Sequence, residues 1–168
     1  TTWNSSPIMK EEYSLKTILV EPGSLADLEF DFELREVEKE EVLQFADGDL
    51  DDGIKQCIEH STREGNHYLH GLDKESGKLL FIFGLCKEKE THMGIPWFLT
   101  SKDFKPPIDF IRKSPEVIND MFTDGIKVLV NYIHKDNTKS IKWLTWLGFQ
   151  FTEHPFLETY YQFYKYKE

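Results

Sequence analysis

At 168 residues the chain has the length of one ordinary domain, and 39% apolar and 14% aromatic residues supply enough buried surface to order it, which excludes a disordered protein. The formal charge of −10 is lopsided: residues 1–65 hold 17 acids and 6 bases (−11), and residues 66–168 hold 13 acids and 14 bases (+1). Such a surface repels phosphate, so a nucleic-acid partner is not expected, and no apolar run nears the ~18 residues that span a bilayer. The sequence therefore predicts a soluble, non-secreted protein, with Cys57 and Cys86 as buried free thiols and no metal site.

In chain order, Thr17-Ile-Leu-Val20 closed by Pro22-Gly23 predicts an isolated strand or extended arm, so that residues 1–29 stand as an N-terminal extension to a domain over 30–168. The alternation Phe30, Phe32, Leu34 predicts a half-buried strand. Two helices follow, over Glu38–Phe45 and from Leu50 to about Ser61, the second capped by Asp49. A polar junction over 62–66 leads to a hairpin, His67–Leu72 and Leu79–Cys86, and Thr91–Leu99 returns as a strand in which Pro96 predicts a bulge or an unpaired position.

From Pro107 to about Phe122 the apolar spacing predicts a helix, interrupted or restarted at Ser114-Pro115, with Ser114 as cap. Ile126–His134 reads as a central strand, and Asp136 or Asn137 caps a helix over Thr138–Leu147 that Gly148 ends. Phe149–Thr152 and Thr159–Tyr166 close the order β-α-α-β-β-β-α-β-α-β-β. This is an α/β (α+β) pattern: about six to seven mostly antiparallel strands flanked by about four helices.

That order, together with Asn137, Ser140, Leu144 and Leu147-Gly148-Phe149, resembles the GNAT (N-acetyltransferase-like) fold. The usual segment there has an Asn, an Ala three residues later, often a Tyr four beyond it, then a hydrophobic residue with Gly-Phe. Gly94–Leu99, Ser114–Met121 and Asn131–Phe149 are further similar to acetyltransferase-like proteins of short-tailed bacteriophages, some of them internal virion proteins. The resemblance covers roughly residues 30–155. It implies acetyl-CoA as cofactor, with Trp97, Leu99 and Asn131 on a splayed strand pair, Asn137 and Ser140 at the following helix, and Lys102 and Lys105 as phosphate-binding side chains.

For proton transfer the resemblance points to His92 and His134, with Tyr132, Tyr68 or a water in place of the usual Tyr, because Leu144 cannot donate a proton. The segment Thr100–Lys113, where a Gly-rich phosphate loop is due, holds no glycine and two prolines, Pro106 and Pro107, that lack backbone donors. Two functions follow from the resemblance. One is a catalytically degenerate module, in a phage virion or the host cytoplasm, that binds a virion component or a host protein. The other is an acetyl-CoA-dependent N-acetyltransferase acting on a protein or small amine.

Overall fold

The computed structural model describes residues 13–62, 67–88 and 90–168. Residues 1–12 of the expected arm and 63–66 of the expected junction lie outside them. Strands β1 (Tyr13–Ser14) and β2 (Ile18–Pro22) lead through a 3-10 helix (Leu25–Glu29) to α1 (Glu36–Phe45) and α2 (Leu50–Ser61). Then come β3 (His67–Asp73), β4 (Leu79–Lys87), β5 (Met93–Thr100), α3 (Ile108–Asp120), β6 (Val128–His134), α4 (Thr138–Trp146), β7 (Gln150–Glu153) and β8 (Tyr160–Tyr166).

All eight strands join one sheet in the order β1-β2-β3-β4-β5-β6-β8-β7. Every neighbouring pair is antiparallel except β5 and β6. Helices α1 and α2 cover one face over a cluster with Leu34, Val42, Ile58 and Ile82. On the other face α3 and α4 bury a larger, aromatic cluster with Phe81, Phe83, Ile118 and Phe163. Phe81 is its centre, with ring centroids 5.2–6.1 Å from Phe83, Phe98, Phe104 and Phe110. That ring sits directly over Gly71, where a Cβ would come within 2.3 Å of it, so the strand tolerates no side chain there.

Several expectations need correction. The isolated strand at Thr17–Val20 is instead β2, paired from Ile18↔Asp73 to Pro22↔Leu69, because Ile18 and Val20 bury against the sheet. Phe30–Val37 makes no strand: only Leu34 bridges Ser101, Phe30 is exposed, and α1 begins at Glu36. The helix α3 runs unbroken through Pro115. Proline has no N–H for the carbonyl of Ile111, and the Ser114 hydroxyl donates to that oxygen instead at 2.7 Å, so the lost bond is replaced and the helix continues. At α2 the Asp49 cap forms as expected, reciprocally with Asp52. Cys57 and Cys86 form no disulfide, as expected, but are only half-buried.

The 3-10 helix is held to β3 by a buried clasp. Asp27 accepts from the Tyr68 hydroxyl and lies 2.8 Å from His70 Nδ1, while His70 Nε2 lies 3.2 Å from Glu21. Burial alone would lower the His70 pKa, but Asp27 and Glu21 outweigh it and raise it.

Candidate functional site: the split between β5 and β6

The parallel pair β5 and β6 stays in register for only two residue pairs, Met93↔Val128 and Gly94↔Leu129, and then the strands part. Pro96 stands where they separate. Its register with β4 is unbroken, so it makes no bulge; it fills the unpaired position, facing the gap where no N–H is required. Asn131 reaches across, donating from Nδ2 to the Pro96 carbonyl at 2.7 Å.

A cavity of about 450 Å³ passes through this gap from the α1–α2 face to the α3–α4 face. Asn131 lines it at the gap, Phe45, Trp97 and Tyr132 on its α1 side, and Val117, Met121, Ile133 and Trp143 on its α3 side. Its edge toward the ends of the strands is spanned by ions. Glu38 of α1, 2% exposed, accepts from Thr100 N at 3.0 Å and from Thr100 Oγ1 at 2.9 Å. Arg35 donates from Nε to Glu38 at 2.7 Å and from Nη2 to Asn137 Oδ1 at 3.1 Å and Ser140 Oγ at 3.2 Å. Glu41, one turn along α1, accepts from His134 N at 2.9 Å and from Asn137 Nδ2 at 3.2 Å. The chain's own side chains thus tie the end of β5 to the start of α4.

Two carboxylates share one guanidinium here, and the electrostatics follow. Burial, with the charge of Glu38 adding to it, pushes Glu41 up to about 7 against the opposing His134 N–H, Asn137 and Arg35. Glu38 is also raised by burial, although Arg35 and Thr100 pull it down.

The residues singled out from sequence divide accordingly. Trp97, Leu99, Tyr132, Asn131, Asn137 and Ser140 all line the cavity. Asn137 occupies the N-cap position of α4 but makes no capping bond, correcting that expectation, because Arg35 and Glu41 hold its amide. His134 is buried beside the cavity; its Nδ1 accepts from Asp136 N at 3.0 Å, which places the proton on Nε2, 3.7 Å from Glu40. His92 lies outside the lining, at the paired end of the strands, exposed and 3.0 Å from the Gly125 carbonyl. Lys102 pairs with Glu33, and Lys105 is exposed; neither lines the cavity. Burial and the Asp27 carboxylate hold the Tyr68 hydroxyl far above the usual tyrosine value, so it does not release its proton.

At the start of α3 the capping residue is Pro107, which makes no side-chain cap. Asp109 in its first turn accepts from Lys16 N at 2.8 Å, placing a carboxylate where a helix N-terminus otherwise favours an anion. Arg35, Glu38 and Glu41 escaped the sequence reading, which gives Glu38–Phe45 as a helix and assigns none of its side chains to the site. Their signal was the spacing 38, 41, 42, 45, an inward stripe in which two of four positions are carboxylates.

No protein-family model matches the chain, and no curated protein matches it. Solved structures do. A ribosomal-protein-S5-alanine acetyltransferase from Vibrio fischeri is similar at TM-score 0.62 and 14% identity, covering 95% of this chain and 98% of that one. The GNAT domain of S. lividans PAT gives 0.64 and 14%, covering 92% and 96%. A phosphinothricin acetyltransferase from Sinorhizobium meliloti, solved with AcCoA, gives 0.62 and 15%, covering 90% and 89%. The chain has the GNAT fold. At such identities the likeness speaks for architecture alone, and the eight strands among the described residues are slightly more than expected.

Proposed function

We propose that the protein is a catalytically degenerate GNAT-fold module that works by binding another protein. One observation carries this reading: the split of the sheet is closed at its outer edge by Arg35 and Glu38, so the free N–H of Thr100 and the Asn137 and Ser140 side chains are already satisfied from within. The proline-capped α3 with Asp109 in its first turn, and Leu144 in the cavity wall, support it. The phage-like segments Gly94–Leu99 and Asn131–Phe149 motivate the narrower role, a virion component or a factor in the host cytoplasm that meets a virion or host protein partner. A factor that inhibits a host protein through the acidic first part of the chain is a variant of the same role.

Calorimetric titration with acetyl-CoA tests it. No heat up to millimolar ligand is the expected result. Micromolar binding that weakens in Asn137→Ala would overturn it.

A second reading, an acetyl-CoA-dependent N-acetyltransferase, is favoured by Glu41, whose carboxyl at about 7 in the cavity wall suits a general base. It predicts thiol release from acetyl-CoA in the presence of amines, lost in Glu41→Gln.

A further inference from the structure

The closure at Arg35 and Glu38 leaves the through-sheet cavity itself empty of side chains, and its two lobes differ in chemistry. The inner lobe, on the α3–α4 face, is walled by Val117, Met121, Phe149 and Phe163. The polar groups at its edge are mutually satisfied: Trp143 Nε1 donates to Ser114 Oγ at 3.1 Å, and Ser114 donates onward to the Ile111 carbonyl. A ligand entering there gains nothing from hydrogen bonds and gains only by burying apolar surface.

The outer lobe is anionic and aromatic. Residues 36–61, which form α1 and α2, carry nine acids and two bases, a charge of −7. Glu41 is in the wall itself. Phe45 and Tyr132 stack at 5.4 Å, half exposed at the mouth, and His154 meets Tyr132 edge-on at 4.5 Å. Ring faces beside carboxylates attract a cation and repel an anion. At the inner end the one charged lining residue is Lys113, on α3, 3.5 Å from Glu116. It disfavours a cation there, so the two ends orient a charged amphiphile in one direction.

We propose that this cavity is a binding site for a single-chain aliphatic ammonium ion, its head between Glu41 and the Phe45–Tyr132 pair and its tail through the split into the inner lobe. About 450 Å³ is within the range of small-molecule sites, and the passage between β5 and β6 joins the anionic lobe to the apolar one. The proposal rests on the reading that the coenzyme's place is closed. Acetyl-CoA calorimetry reports on that reading alone, and the titrations below report on this one.

The test, run at pH 8 where the Glu41 carboxyl is ionised, is a series of n-alkylammonium ions from butyl to dodecyl, each below its micelle concentration, followed by calorimetry and by the fluorescence of Trp97 and Trp143 in the cavity wall. Affinity should rise about fourfold per methylene beyond butyl until the inner lobe is full, and then level off. An alkyl sulfate of equal length should bind at least tenfold more weakly. Val117→Phe, which fills the inner lobe, should flatten the chain-length dependence, so that the longest chains lose the most affinity. Glu41→Gln should weaken every chain length by a similar factor, with urea unfolding confirming that both variants fold. Butylammonium stands in for a lysine side chain, so affinity independent of length from butyl onward would make the mouth a lysine site and overturn the proposal. Equal binding of the sulfate, or no binding at millimolar concentration, would overturn it as well.

Discussion

Two buried carboxylate clusters sit on the α1–α2 side of this molecule, and they are balanced differently. In the clasp, His70 lies between Asp27 and Glu21, and Tyr68 supplies a further donor. In the network at the split, the single guanidinium of Arg35 faces both Glu38 and Glu41, and the remaining donors are neutral amides and a hydroxyl. The first arrangement fastens a loop to the sheet. The second leaves one carboxyl undercompensated beside a cavity, which is why Glu41 is the group raised to about 7. Complete pairing makes structure, and incomplete pairing leaves a group that responds to its surroundings.

Breaking the clasp should have the largest effect. Asp27→Ala strands His70 and Tyr68 in a buried site and should cost about 4 kcal/mol in urea unfolding. Glu38→Ala should cost about 3 kcal/mol, less because Arg35, 23% exposed, can recover water. A comparable effect separates the two clusters by pH. The folded protein holds a proton on Glu41 that the unfolded chain releases, so its contribution to stability is lost as pH rises from about 4.5 to about 7. That loss, on the order of 3 kcal/mol, should vanish from the stability profile of Glu41→Gln. His70 also has a raised value, so the clasp is at full strength below about 6.5 and weakens as pH climbs through its folded pKa; this decline should survive in Glu41→Gln. The smallest effect belongs to Tyr68→Phe, which removes one bond from Asp27 and leaves His70 in place, for about 1 kcal/mol.

The fold was legible because its signals are local. Asn137 to Phe149 is read by spacing, and the observed turn at Gly148, with φ of 96°, is one that glycine adopts without strain. Pro96 announced a position without a partner, and the split is where it lies. The site was legible only in part. Trp97, Leu99, Tyr132, Asn131, Asn137 and Ser140 were singled out and do gather at one cavity. What satisfies Asn137 and Ser140 was not visible, because Arg35 approaches from 102 and 105 residues away. Likewise, nothing local distinguishes Glu41 from Glu40, its exposed neighbour, since burial of one and not the other is decided by the angle at which α1 lies on β6. Ser114-Pro115 misled for the opposite reason. The local rule favours a helix start, and the hydroxyl of Ser114 replaces the missing bond within one turn.

The two-pair seam between β5 and β6 also divides the sheet for folding. Strands β1 to β5 form one run of antiparallel neighbours and β6, β8 and β7 another, joined in backbone hydrogen bonding only near Gly94 and Leu129. Amide exchange under native conditions should therefore report two cooperative units rather than one, with the slowest amides inside each run and the side-chain ties of Asn131 and Arg35 setting how far the opening of one is felt by the other.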